Sequence, residues 1–417
     1  APGSTNTIAY TYDAAGRVAT IDDGLGGLTT FGYDASGRRT SIGRPNGVTT
    51  TYTYDADGNL TNQTDGAFGS IQLAYDAGGN PTAATRTLPL APVPAFGSDA
   101  WTHDAASQVA TYTYDARGNL TDDGTRQYTW NHANLLAQID EGATTTTYVY
   151  DALSRRVERT TGSETRTYTW NDALTIPAIT KIGDGVSDLL YFVHTPEGEL
   201  LHWYDGAGVR WFYHYDEAGN VFAMTNDTGN VTETHSYSPF GRLEQSSTWT
   251  ENPFTWQGRF GATNEGGDLY NFGYRFYDAK TAKFLSREGD AGVGPRDLNE
   301  YAYALNDPLT KTTLLGERAV DTRNPANLEI SDDVRGYFAV FLFQALGQDP
   351  IGDDDDDDDD GFAIQNLDPL PPAAPWRRGP IRDPKDGAGI KVSINVPVPI
   401  GPFPFWLRIP TVDGKAP

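Results

Sequence analysis

Carboxylates supply most of the chemistry this 417-residue sequence could do, and they fall in two patterns. Asp353, Asp354, Asp355, Asp356, Asp357, Asp358, Asp359 and Asp360 form an unbroken run. Calcium takes several oxygen ligands, so the run could hold calcium weakly. A defined site would need a turn residue and interleaved neutral positions, which the run lacks. The simpler reading is a solvated, self-repelling loop. The second pattern is periodic: Asp13, Asp34, Asp55 and Asp76 are evenly spaced, each after a tyrosine and three residues before a glycine. The histidines His103, His132, His194, His202, His214 and His235 make no HxxxH or HExxH pair, so metal spacing is absent. Gly24 to Gly27 lack the Lys-Ser/Thr of a phosphate loop, and no Ser-His-Asp set can be defended from spacing.

The elements that position the periodic aspartates follow from their neighbours. Tyr52-Thr53-Tyr54 alternates aromatic with small polar, the period of a half-buried strand. Asp55-Ala56-Asp57-Gly58 supplies a turn, in which the Asp carboxylate accepts backbone N–H groups and Gly58 takes the positive φ. Asn59-Leu60-Thr61 is the return strand, and Asp65-Gly66 makes the second turn. Two strands and two turns per period give an antiparallel ribbon that winds onward, with tyrosines stacking across neighbouring strands. The aspartates are therefore expected to be structural. Asp115, Asp151 and Asp216 sit in further copies of the unit. Tyr128-Thr129-Trp130-Asn131 and Tyr168-Thr169-Trp170-Asn171 put Trp and Asn at the Tyr and Asp positions. Residues 86–100, with Pro89, Pro92 and Pro94, read as an inserted loop. His202 and His214 flank Trp203, Trp211 and Tyr213 and read as part of an aromatic ladder.

Composition agrees with an all-β chain: 45 Gly and 26 Pro make turns frequent, and 23 Tyr and 9 Trp suit strands. A net charge of −25 argues against a nucleic acid partner. No apolar run is long enough for a membrane-spanning helix. The absence of Cys excludes disulfides and thiolate metal sites. The chain starts at Ala1 in mid-pattern and reads as a processed product or an excerpt.

The pattern Tyr-x-Tyr-Asp-x-x-Gly-[Arg/Asn]-[Leu/Val] resembles the YD repeat of the Rhs and teneurin-like proteins. Residues 237–316 strengthen the resemblance, with Tyr237-Ser238-Pro239-Phe240-Gly241, then Leu269-Tyr270-Asn271-Phe272-Gly273-Tyr274-Arg275-Phe276-Tyr277-Asp278. Phe284-Leu285-Ser286 and Asn299-Glu300-Tyr301-Ala302-Tyr303-Ala304-Leu305-Asn306-Asp307-Pro308 follow. These are similar to the Rhs-associated core that closes the repeats in that family. The resemblance implies a spiralling antiparallel β-sheet, shell or solenoid, over residues 1–236, a core over 237–316, and an acidic, Pro-rich extension over 317–417.

In that family the core often acts as an aspartyl autoprotease built on two Asp-Pro-x-Gly elements. Here the nearest acids to the first are Glu288 and Asp290, and Thr313 stands at the second Asp position. A dyad needs two carboxylates sharing a proton. A threonine hydroxyl cannot take that part, so the join at Gly316-Glu317 is expected to stay intact and the chain to be non-catalytic. The extension has no His and no Cys; Ile390 to Val396 alternates like a strand, and Pro402 to Leu407 is an apolar plug. Three functions follow, in order. The first is a secreted or surface-associated structural protein, without cofactor unless calcium binds, whose extension docks in its own shell or on a neighbouring copy. The second is a fragment of an Rhs-type polymorphic toxin caging residues 317–417 as cargo. The third is a cell-surface glycan- or cell-binding adhesin using Trp203 and Trp211 as stacking platforms.

Overall fold

The computed structural model describes residues 7–90, 100–247, 252–287 and 299–316, together with the backbone of Arg318–Asp321, Asn395–Val398 and Phe405–Arg408. The chain divides into two units, Ala1–Asp356 and Asp357–Pro417. Glu288, Asp290 and the run Asp353 to Asp360 lie outside the described residues.

The described elements of the first unit are strands and tight turns, with short 3-10 helices at Gly258–Phe260 and Ala304–Asn306. The first sheet is an unbroken antiparallel meander. Its strands are β1 (Ala9–Tyr12), β2 (Val18–Asp22), β3 (Leu28–Tyr33), β4 (Arg39–Gly43), β5 (Thr49–Tyr54), β6 (Leu60–Asp65), β7 (Gly69–Tyr75) and β8 (Pro81–Thr87). The last of these runs two residues into the stretch expected to be an inserted loop. A second meander of 14 strands begins with β9 (Thr113–Tyr114), β10 (Leu120–Asp122), β11 (Arg126–Trp130), β12 (Leu136–Glu141), β13 (Thr144–Tyr150), β14 (Arg156–Thr161) and β15 (Glu164–Asn171). It continues through β16 (Ala178–Gly183), β17 (Asp188–His194), β18 (Leu200–Asp205), β19 (Arg210–Tyr215), β20 (Val221–Asn226), β21 (Val231–Tyr237) and β22 (Leu243–Ser246).

The repeat motif acts as a clamp at each turn. Asp13 Oδ1 accepts the backbone N–H groups of Ala15 and Arg17 at 2.9 and 3.0 Å, and its Oδ2 accepts Arg17 Nε at 2.8 Å. The same two-oxygen arrangement recurs at Asp34, Asp76, Asp115, Asp151 and Asp216, with Arg38, Asn80, Asn119, Arg155 and Asn220 at the fourth position on. Asp55 takes Asn59 N at 2.8 Å and Asn59 Nδ2 at 2.9 Å. The side-chain bond from Asn59 holds the Asp55 carboxyl below its ordinary range. Where the fourth position is Arg, it also ties one repeat to the next. Arg17 Nη1 donates to Asp34 O at 3.3 Å and Arg38 Nη1 to Asp55 O at 3.1 Å, with the guanidinium groups over the rings of Tyr33 and Tyr54.

The tyrosine before each Asp has its own task. Before Asp34, Asp55, Asp76, Asp151 and Asp216 its ring closes the apolar face and its hydroxyl satisfies a backbone carbonyl of the preceding repeat, whereas Tyr114 OH accepts Val109 N and Tyr12 is exposed. Tyr33 donates to Val18 O, Tyr54 to Arg39 O, Tyr75 to Leu60 O, Tyr150 to Leu136 O and Tyr215 to Leu200 O, at 2.7–2.9 Å. Trp130 Nε1 donates to Leu120 O and Trp170 Nε1 to Arg156 O in the same manner. Indole replaces phenol because both carry an apolar body and one donor.

The second sheet is buried on both faces at β18 to β20, whose runs Leu-Leu-His-Trp-Tyr and Val-Phe-Ala-Met-Thr are closed to solvent. On one face Leu190, Phe192, Trp203, Tyr213 and Met224 pack against Phe254 of the region after β22. On the other, Val193, Leu201 and Tyr204 pack against Val18 and Ile21 of the first sheet.

Beyond the meander, β23 (Thr263–Gly266), β24 (Leu269–Asn271), β25 (Phe276–Asp278) and β26 (Lys283–Phe284) form a small sheet. Its Trp256, Tyr270, Phe272, Tyr277, Phe284 and Tyr303 make an aromatic knot. The hairpin of β27 (Lys311–Leu314) and β28 (Arg318–Asp321) follows. In the second unit β29 (Asn395–Val398) pairs with β30 (Phe405–Arg408), Asn395 opposite Arg408. Asn395 and Val396, the end of the alternating stretch, and Phe405 to Leu407, the end of the apolar plug, thus lie in two paired strands; Ile390 to Ile394 lie outside the described residues.

Candidate functional site

Thr313, which the resemblance sets at the second acid position of the family's protease, lies on β27. Its side chain is buried, and Oγ1 accepts the backbone N–H of Ala304 at 3.0 Å. Next to it, Thr312 Oγ1 donates to Gln257 Oε1 at 2.5 Å and accepts Tyr303 OH at 3.2 Å. Among the described residues the network around Thr312 and Thr313 is built of hydroxyls and amides. The Gly316 carbonyl accepts from Arg275 Nε, and the Arg275 guanidinium lies 3.8 Å over the Phe284 ring and reaches Glu300 O at 3.1 Å. Leu315 holds a positive φ of 50°, a conformation that crowds a side chain. Among the described residues no group of three or more His, Cys, Asp or Glu could hold a metal ion. No helix among them is long and apolar enough to cross a membrane.

The repeat aspartates are not brought together; each sits at its own turn. Asp216 differs from the others in its titration: burial, and then the neighbouring Glu217 charge, push its carboxyl up to about 6.

Spacing alone missed a seam of charged and polar side chains between the two sheets. His214 on β19 places Nδ1 3.0 Å from Asp65 Oδ1 of β6 and Nε2 2.9 Å from Thr225 Oγ1 of β20. Asp65 also takes Thr50 Oγ1 at 2.6 Å and Gln63 Nε2 at 2.8 Å. Asp23 sits in the turn after β2. It receives the amides of Leu25 and Gly27 at 2.8 Å and Arg210 Nε at 2.6 Å, with His202 Nε2 at 3.4 Å. At 3.4 Å the His202 contact is electrostatic more than a formed hydrogen bond. Glu199 joins three parts of the fold, with Arg39 of β4 at 2.6 Å and Arg259 of the segment after β22 at 2.9 Å. Elsewhere Arg156 of β14 meets Glu265 of β23 at 2.6 Å, both nearly inaccessible.

The seam sets the titration of its members. Burial, and then the Arg44 charge, bring His214 down to about 4, against the pull of Asp65. Burial, and then His202, bring His194 down to about 3. His202 is lowered by burial against Asp23. The Asp65 carboxyl stays low although burial opposes it, because His214 and Arg44 face it.

Two expectations change. His202 and His214 are in contact with rings, 5.0 Å from Phe212 and 4.9 Å from Phe68, but each also faces a carboxylate of the other sheet. Trp203 is not an exposed platform: it is 4% accessible and stacked on Trp211 at 4.0 Å. The double-sided burial of β18 closes it, so the proposed glycan-stacking pair does not exist as a surface.

The comparisons with known proteins point one way. The Teneurin YD-shell profile matches residues 40–309, and the RHS Repeat profile residues 12–49. The tRNA3(Ser)-specific nuclease WapA of Bacillus spizizenii is 30% identical over 206 residues, covering 47% of this chain and 9% of that protein. Double-stranded DNA deaminase toxin A of Burkholderia cenocepacia is 24% identical over 241 residues, covering 51% of this chain and 16% of that protein. The crystal structure of TcdB2-TccC3 superposes with a TM-score of 0.52 at 14% identity, over 74% of this chain and 22% of that one. This chain therefore spans only a small part of the proteins it resembles. With the profile covering well over half of its residues, the chain belongs to the teneurin YD-shell family.

Proposed function

We propose that this chain is the closing part of a toxin-type YD shell that acts outside the cell or at its surface. It is a non-catalytic carrier whose residues from 317 onward remain covalently joined to it. Thr313 carries the reading: where the family's protease has an acid, this chain has a buried hydroxyl already engaged by Ala304 N. The names of the relatives, a tRNA nuclease and a DNA deaminase toxin, support a carrier of cargo. The acidic chain, at a net −25 over its 417 residues, does not suit nucleic acid binding. Intact-mass measurement of the purified full chain tests the join. A single 45.4 kDa species is expected, and a break after Gly316 would overturn the reading. Growth arrest on expressing residues 317–417 in bacteria, absent with the whole chain, is the expected result for cargo.

A second reading rests on the β29–β30 hairpin, a strand pair of the kind that adds to sheet edges. In it residues 317–417 are an arm that docks on the shell or on a neighbouring copy. Sedimentation of the chain with and without residues 390–417 separates the two, since only the arm predicts loss of oligomers. Calcium on Asp353 to Asp360 would belong with this reading, and a chelator should then weaken the oligomers.

A further inference from the structure

The seam between the sheets takes up three buried histidines and leaves His235 over. His235 lies on β21 and faces β22, the end strand of the second sheet. Its Nε2 is 2.7 Å from Glu233 Oε1, two residues back on the same face of the strand, and its Nδ1 is 3.1 Å from Ser246 Oγ. Ser246 is the cross-strand partner of His235 and is exposed, whereas His235 and Glu233 are buried. A hydroxyl, an imidazole and a carboxylate in that order, each within hydrogen-bond reach of the next, is the arrangement that activates a serine. Packing alone does not call for it, because a buried carboxylate and its partner are costlier to desolvate than apolar side chains of the same size. We propose that Ser246, His235 and Glu233 act as nucleophile, base and orienting carboxylate in the hydrolysis of small uncharged esters. The site shares no residue with the protease position at Thr313, so the chain acts on esters while its own Gly316-Glu317 join stays intact. The inference goes beyond the carrier reading and stands whatever the chain carries.

The orientation of the ring sets the roles. A carboxylate oxygen only accepts, so Nε2 carries its hydrogen toward Glu233, and in the neutral ring Nδ1 keeps a lone pair for the Ser246 hydroxyl. That hydroxyl also has Ser247 O at 2.9 Å, and rotation about its C–O bond moves the hydrogen from this carbonyl to Nδ1. The end of β22 is pinned. Ser247 N donates to Thr234 O at 2.9 Å, and Ser247 Oγ accepts Thr234 N at 3.0 Å and Thr234 Oγ1 at 2.8 Å. Ser246 is thereby fixed beside the imidazole while the residue stays open to solvent. In the first step Oγ bonds to the ester carbonyl carbon as its proton passes to Nδ1, and Glu233 steadies the imidazolium through Nε2–H. The tetrahedral adduct then expels the alcohol, which leaves with that proton, and the acyl group stays on Oγ. Water next gives a proton to Nδ1 and attacks the acyl carbon; Oγ departs, takes the proton back, and the acid is released. A net charge of −25 disfavours the approach of anionic esters and leaves neutral ones as the preferred class.

The full chain, treated with para-nitrophenyl acetate and separately with a fluorophosphonate probe, tests the site. The probe is expected to bond to Ser246, located by peptide mass, and ester turnover is expected to exceed that of Ser246→Ala. That variant changes an exposed residue and should keep the urea midpoint of the unsubstituted chain. His235→Ala is expected to lose about a hundredfold or more of the turnover. Free imidazole should restore part of it, a recovery that a merely structural histidine does not give. Glu233→Gln should lower kcat at unchanged KM, as befits a residue that acts through the ring. Should either buried variant fail to fold, the attachment site of the probe and the turnover of Ser246→Ala decide. A probe absent from Ser246 overturns the proposal, as does turnover that is equal in the unsubstituted chain and in Ser246→Ala. A folded His235→Ala with full turnover overturns it as well.

Discussion

At the residue scale the repeat is a set of satisfied polar groups. A Tyr hydroxyl ends on a carbonyl of the preceding repeat and an Asp carboxylate fills both its oxygens at the turn. Removing one donor should therefore leave a buried carbonyl orphaned. Tyr215→Phe, which deletes the 2.8 Å bond to Leu200 O, is expected to cost about 1 kcal/mol, read as a lower urea midpoint at unchanged slope. Tyr12, whose ring is largely exposed, is the control position, and its Phe variant should shift the midpoint little. This scale was legible in the sequence, because clamp and turn are local: Asp55 and Asn59 are four residues apart. The hydroxyl ties were not. They connect a tyrosine to a carbonyl that no side-chain pattern marks.

At the element scale the unexpected finding is that β18 to β20 have no solvent face. Alternation would have put Trp203 outside, but the first sheet covers one face and Phe254 the other. Nothing in the spacing announces this, since the partners lie far apart in the chain, as with His214 and Asp65 at a separation of 149 residues. Glu199 is where the three layers meet, and it is the most exacting position. Glu199→Gln leaves Arg39 and Arg259 buried without their counter-charge, and a loss of about 3–5 kcal/mol is expected. Chemical denaturation checks the size. The control change, Glu197→Gln, lies in the neighbouring turn at an exposed position and should remain within about 0.5 kcal/mol.

At the scale of the whole molecule, stability should fall on the acid side of neutrality. His214, at about 4 in the fold and 6.5 when free, alone accounts for about 3 kcal/mol lost between those values. The sign is fixed by the depressed native value: protons bind the unfolded chain first. Thermal midpoints measured from pH 7.5 down to 4.5 should decline from about 6.5, His194 and His214 together outweighing Asp216, whose raised carboxyl takes its proton in the fold first and opposes the fall below about 6. Family and architecture were readable at this scale from residues 237–316 and from the period. Contact between the sheets was not, because charge pairing across them depends on a fold that the repeats alone do not specify.

The tie from Arg17 to the turn of Asp34, and from Arg38 to that of Asp55, gives the molecule a mechanical character. Along the sheet each hairpin is fastened to its successor, the ladder of β1 to β8 runs in chain order, and Asp23, Arg39 and Asp65 add ties to the second sheet. A force applied at the amino end would therefore peel strands one after another, unzipping the sheet without shearing it. Each released repeat would lengthen the tether by about 70 Å of chain. A single-molecule extension trace should show evenly sized steps through the first sheet. It should then stiffen abruptly at β17 to β20, where two covering layers must be torn away along with the strand.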